Sequence, residues 1–245
     1  MDLYPEAETY FLFIFIRMKK HKGNFDAADS FLYQKCLKEW RPALDANREI
    51  IDYKKGEILF KEGDKVEGVY FMLKGVIKVH KHWGEDKELI LRFAHNYDIV
   101  GHRGLSTNNI SYPITATALT NCTICFLSLD FFVATLKVNI QFMYDFMMFM
   151  ADELQLSERR MRDLAHLPVK GRAAKALLEL LDKFGVNTEG YIAFTISRQD
   201  ISAFIGATYE SVYRLMTEFT ETGLIKTNGK DIAIINEEGL KALSR

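Results

Sequence analysis

Glu210, Arg214 and Thr217 recur at steps of four and three residues, the spacing that stacks side chains along one stripe of a helix. An arginine on such a stripe can offer two N–H groups to a guanine edge, and a glutamate can accept from a cytosine amino group. Thr208, Tyr209, Ser211 and Tyr213 flank them, and the hydroxyls of Thr208 and Ser211 suit phosphate oxygens. The opposite stripe, Val212, Leu215, Met216 and Phe219, is apolar and must face a core. Upstream, Ser197 can cap a helix with Asp200 three residues on, Arg198 stands in its first turn, and Ile201 and Ile205 point inward. Gly206 suits a left-handed turn, Thr208 can cap the second helix, and Gly223 ends it. Helix, tight glycine turn, helix, with small Ser202 where the two must approach, predicts a helix-turn-helix. Its second helix could project into a major groove. The run LIKTNGKDIAII follows, two β-rich stretches around Asn228-Gly229. It reads as a wing that brings Lys226 and Lys230 near a DNA backbone.

Other chemistry is sparse. There is no P-loop, no HExxH, no nucleophile elbow and no zinc-spaced cluster, so the chain does not read as an enzyme. Three cysteines cannot build a disulfide framework, which fits a reducing cytoplasm. Cys122 and Cys125 lie three apart on a predicted strand, point to opposite faces and read as buried small apolar residues. His80 and His82 share one strand face and His95 and His102 are close in sequence; two imidazoles at such spacing could hold a metal, although histidines in this setting are more often plain surface or core residues.

The elements that must carry these residues follow from texture. The 245 residues carry a net charge of −1, so no global basic field points to a polyanion. Residues 168–245 hold ten Lys/Arg against ten Asp/Glu, which predicts modest electrostatic affinity for DNA per protomer, doubled in a dimer. Residues 19–50 read as helical, with Phe31, Leu32, Cys36, Leu37 and Trp40 at helical spacing. Residues 51–132 read as all β, with EILF, GVYFML, GVIKVH, ELILRFA and CTICFLSL punctuated by glycines, as in a small barrel or sandwich. A long helix is expected over 139–164. Met143, Met147, Met150, Leu154, Ser157, Met161 and Leu164 alternate steps of four and three, a heptad seam for a second copy, while Phe142, Phe146 and Phe149 face the barrel. Pro168 stops it, and 170–184 forms an amphipathic helix with Ala174, Leu177, Leu178 and Leu181 inward. At the start, YFLFIFI over 10–16 is too short for a membrane span and lacks the basic leader of an export signal. Residues 1–18 read as an extra N-terminal segment or a misassigned start.

The order β-roll, long helix, winged helix-turn-helix resembles the Crp/Fnr family of bacterial transcription regulators. The matching segments are LFKEGDKVEGVYFMLKG in the roll, VGHRGL with YPITATA six residues later for the phosphate-binding cassette, LAHLPVKGRAAKALLELL for the hinge, and ISRQDISAFIGATYESVYRLM for the recognition motif. The resemblance implies an α+β chain: an antiparallel, jelly-roll-like sensor roll over 19–138, a dimerisation helix and hinge over 139–167, and a DNA-binding domain over 168–245. It implies double-stranded DNA, a second copy of the chain, RNA polymerase and a small-molecule effector as partners, and a cytoplasmic protein with no membrane contact. Among the family's DNA-reading positions, the glutamate and second arginine fall on Glu210 and Arg214 and the first arginine on Tyr209, so the target sequence should differ. The effector pocket would comprise Gly101, His102, Arg103, Gly104, Leu105, Tyr112, Pro113, Ser157 and Glu158. It departs from the cyclic-AMP pattern: His102 replaces the ribose-binding glutamate, Tyr112-Pro113 the phosphate-binding Arg-Ser pair, and Ser157-Glu158 the Thr-Ser pair. No cation at the phosphate position argues against cyclic AMP and leaves the cofactor or effector open. The iron–sulfur members use three N-terminal cysteines where this chain has Cys36; haem or metal stays a minor alternative. A second reading has the roll regulate a protein partner without DNA, the C-terminal unit serving as the contact.

Overall fold

The computed structural model describes residues 30–84, 87–107 and 111–244, so the predicted N-terminal segment lies outside the described residues. The chain divides into two compact units. One holds the described residues up to His80 together with 92–148; the other holds 81–91 and 149–244.

In the first unit, eight strands form two four-stranded sheets: β1 (Arg48–Tyr53), β2 (Ile58–Phe60), β3 (Gly68–Lys74), β4 (Ile77–Trp83), β5 (Lys87–Ala94), β6 (Ile99–Val100), β7 (Thr115–Ala118) and β8 (Cys122–Ser128). β4 runs on into the second unit and β5 begins there. The strand orders are β1-β8-β3-β6 and β2-β7-β4-β5. The registered pairs are antiparallel, for instance Tyr70 opposite Phe126 and Ile50 opposite Cys125. This is the expected jelly-roll-like roll. β3 is buried on both faces, its six residues from Gly68 to Leu73 enclosed, because one face meets the roll interior and the other meets helices.

Those helices were only partly foreseen. The stretch before the roll is broken into α1 (Phe31–Lys35), a 3-10 turn (Lys38–Trp40) and α2 (Arg41–Asn47), with Pro42 opening α2 where its missing N–H costs nothing. The run CTICFLSL ends as a strand at Ser128, whose hydroxyl accepts from the Phe131 N–H and starts helix α3 (Leu129–Val138). Asn139, almost fully buried, marks the break before α4 (Ile140–His166). Its Oδ1 accepts from the Leu37 N–H at 2.9 Å and its Nδ2 donates to the Thr135 carbonyl at 2.9 Å, tying the helical stretch before the roll to the corner. Phe132 meets Phe142 and Phe146 edge-on at 6.2 and 5.2 Å and Phe71 of β3 at 6.3 Å. Phe142 and Phe146 are thus the barrel-facing pair; Phe149 is only half-buried.

In the second unit, α5 (Val169–Phe184) is followed by α6 (Arg198–Ile205), α7 (Tyr209–Glu221), the hairpin β9 (Ile225–Asn228) and β10 (Asp231–Ile234), and α8 (Glu237–Leu243). The inner face of α5 is rotated from the expected one. Ala174 and Leu177 are buried, but Ala173, Ala176 and Leu180 complete the face, leaving Leu178 and Leu181 half-exposed. The hairpin turns one residue later than expected, at Gly229-Lys230, because Asn228 still pairs with Asp231. No helix among the described residues is long and apolar enough to cross a membrane.

Candidate functional site

The C-terminal site is built by local chemistry. The Ser197 hydroxyl accepts from the Asp200 N–H at 3.0 Å and donates to the Asp200 carboxylate at 2.5 Å, fixing the start of α6. The helix ends at Gly206 in the left-handed region, φ 61°, which glycine enters most readily because it has no Cβ. Thr208 caps α7 by accepting from the Ser211 N–H at 3.2 Å. Ile201, Ser202, Ala203, Phe204 and Ile205 of α6 and Val212, Leu215, Met216 and Phe219 of α7 are buried, and the two helices pack on one another. The opposite face of α7 is therefore free of the core. Tyr209, Glu210, Tyr213, Arg214 and Thr217 are all exposed, with Tyr213 at 63%. Of these, Tyr209, Tyr213 and Thr217 border, with Ser197, Arg198 and Lys230, a concavity between the start of α6, α7 and the hairpin, while Glu210 and Arg214 stand outside it. Arg198 is half-buried there. Its Nη1 has no acceptor among the described residues, and burial pulls its basicity down while Tyr209 partly restores it.

Two arginines invisible to periodicity set the pose of this turn. Arg160 of α4 donates to the carbonyls of Ile90 and Phe204. Arg172 of α5 donates to Leu164 and Leu167 at the end of α4 and to Ile205 and Gly206 at the turn. The last carbonyls of a helix lack intrahelical donors, so Arg172 satisfies both ends at once.

On α4 the expected seam is largely bare. Met143, Met147, Leu154 and Met161 are exposed, between 46% and 61%, and Met150 and Ser157 are half-buried. Leu164 departs from the seam: its Cδ2 would lie 3.2 Å from a Cβ on Gly206, so it leans on the helix-turn-helix.

In the roll, the predicted cassette forms around Gly101, in the left-handed region at φ 87°, followed by a 3-10 turn over His102–Gly104 and then Leu105. His102 is buried and Arg103 half-buried. Tyr112 points in and Pro113 points out. The Tyr112 ring stacks on Phe60 at 3.8 Å, in a cluster with Tyr70 and Phe126. Ser157 and Glu158 stand on α4 in the other unit, half-buried and exposed respectively. The three cysteines are free and buried; burial pushes the Cys36 and Cys125 thiols up to about 12 and raises Cys122 as well. Burial thus disfavours the thiolate at all three. His82 faces Glu88 at 4.0 Å, and His95 faces Asp98 at 3.4 Å.

Comparison with known proteins identifies both domains. A model described as cyclic nucleotide-binding domain matches residues 50–139, and one described as Crp-like helix-turn-helix domain matches 171–243. The chain is 28% identical over 193 residues to the transcriptional activator protein FnrA of Stutzerimonas stutzeri, covering 78% of each. It is 29% identical over 183 residues to the cAMP-activated global transcriptional regulator CRP of Salmonella typhimurium, covering 74% of this chain and 87% of that one. The structure of FixK2 from Bradyrhizobium japonicum superposes with a TM-score of 0.73 at 24% identity, covering 81% of this chain and 98% of that one. A DNA-recognition model over 171–243 leaves the reading of that unit as a mere protein contact without support.

Proposed function

This chain belongs to the Crp/Fnr family of DNA-binding transcription regulators, and on that premise we propose that it acts as a homodimer joined along α4, each protomer laying α7 into one half-site of an operator. The observation that carries the reading is the outer face of α7: Glu210 and Arg214 exposed side by side on a helix held by a left-handed glycine turn. Arg214 reads a guanine edge and Glu210 a cytosine amino group. Thr208, Ser211 and Lys230 meet backbone phosphates, and a phosphate oxygen supplies the acceptor that Arg198 Nη1 lacks among the described residues. Tyr209 and Tyr213 contribute apolar contact and hydroxyl bonds but no guanidinium fork.

A second copy of the chain covers the bare methionine seam from Met143 to Met161, with Leu154 at its centre. The roll governs the helix pair, its effector is not cyclic AMP, and the DNA-bound dimer contacts RNA polymerase in the cytoplasm. Gel retardation with fragments of the host genome tests the proposal. Salt-sensitive retention of a small set of fragments by a dimer is expected; no retention at any salt would refute it.

A further inference from the structure

The fold implies a cyclic nucleotide in the roll, and the residues present do not fit one. Tyr112, at the position where the family's pattern has the phosphate-binding arginine, is engaged along its Cδ1–Cε1 edge, on one face and at its hydroxyl. A Cβ built on Gly104 would lie 3.0 Å from Tyr112 Cδ1, and one on Gly101 3.4 Å from Cε1, so the ring is in contact with both cassette glycines. One face stacks on Phe60 at 3.8 Å. The hydroxyl donates to the Gly68 carbonyl at 2.9 Å and accepts from the Gly68 N–H at 3.3 Å. The backbone is pinned as well: Tyr112 N–H donates to Asp64 and its carbonyl accepts from Gly63, at 2.9 and 2.8 Å. Pro113, next along, has no N–H to give a phosphate. In the cassette, the Gly104 and Leu105 N–H groups already donate to the Gly101 and His102 carbonyls. With 1% of its surface exposed, Tyr112 is among the largest fully buried side chains of the described residues.

We infer that Tyr112 is the permanent occupant of this cassette, so that the roll takes no 3′,5′-cyclic nucleotide of any base and the dimer reads DNA in the absence of one. The tyrosine supplies from within the chain the packing that a bound ring would supply from outside. The clause about DNA rests on the function proposed above; the clause about the cassette does not.

The test separates the two. Calorimetric titration of the full-length protein with cyclic AMP and with cyclic GMP, without DNA, should give no saturable heat up to about 1 mM. Saturable binding in the micromolar range would overturn the inference whatever the DNA result. Tyr112→Ala removes the plug and leaves a cavity beside Phe60 with the Gly68 N–H and carbonyl at its end; p-cresol, the missing side chain as a free molecule, should raise its Tm by several degrees and leave the parent unchanged. A folded Tyr112→Ala indifferent to p-cresol would overturn the occupancy. If that variant folds only with p-cresol present, the occupancy is supported. If p-cresol does not restore folding while Tyr112→Phe folds normally, it is overturned. Retention of a genomic fragment should change less than about twofold on adding either nucleotide; a tenfold gain would refute independence from nucleotide.

Discussion

The Arg160 guanidinium lies 3.8 Å from the centre of the Phe204 ring and donates at 2.5 Å to the carbonyl of that same residue. One side chain of the long helix thus grips both the face and the backbone of the last turn of α6, next to the glycine that aims the recognition helix. A third contact, to the Ile90 carbonyl at 3.1 Å, engages the β4–β5 hairpin residues that group with this unit.

Arg160→Ala should therefore loosen the helix-turn-helix. The loss of a cation–π contact and two charge-assisted bonds predicts about 1–3 kcal/mol of destabilisation. Urea unfolding followed by far-ultraviolet circular dichroism measures it, and operator affinity should fall by more than the change in folded fraction accounts for.

At the tip of the same turn, Gly206→Ala should cost about 1–2 kcal/mol, since alanine must adopt φ 61°. The new methyl would also press on Leu164 at 3.2 Å. Gly206→Asn should recover part of that loss, because asparagine tolerates the left-handed region. Thermal unfolding of the pair distinguishes backbone strain from crowding: if asparagine is the worse of the two, crowding dominates.

Arg214→Ala removes an exposed side chain and should leave stability unchanged while weakening specific DNA binding by about 1–3 kcal/mol. Binding isotherms at fixed salt read the effect. An unaltered affinity would take Arg214 out of the base-reading set.

Leu154→Asp places a charge in the middle of the methionine seam, where Leu154 is 61% exposed in the protomer. Light scattering should show a monomer, and DNA retention should vanish with the dimer. A stable dimer would mean that the copies meet elsewhere.

The thiols give a pH prediction. Cys36 and Cys125 sit near 12 in the fold because burial disfavours the thiolate, against about 8.5 when unfolded. Their neutral form contributes stability that is intact below pH 8.5 and is lost as pH rises from there toward 12. Alkylation by iodoacetamide at pH 8 should accordingly be slow in the native state and fast in urea, and the urea midpoint should fall between pH 8.5 and 10.5.

Where structure is decided within a few residues, it was legible beforehand. Ser197, Gly206 and Thr208 each fix a helix end through a bond or a φ of their own, so the helix-turn-helix could be placed to the residue. Helix α3 was hidden because Phe131, Phe132 and Val133 continue the apolar run of β8, and only the Ser128 cap divides them. The inner face of α5 slipped because Leu180 and Leu181 are adjacent and tertiary packing alone chooses between them. Arg160 and Arg172 could not have been found: their acceptors are backbone carbonyls, which carry no sequence signature, on segments up to 70 residues away. Tyr112 was recognised as unsuited to a phosphate; that its ring would fill the cassette depends on Phe60, Gly68, Gly101 and Gly104 converging from separate strands and turns.

The central claim is that two copies of α7 present Glu210 and Arg214 to one duplex. Selection of bound sequences from a random DNA pool, followed by footprinting, tests it most directly. An inverted repeat with half-site centres about 10 base pairs apart, protected on one face of the helix, is expected. Enrichment of a single asymmetric site, or no enrichment above the starting pool, would contradict it.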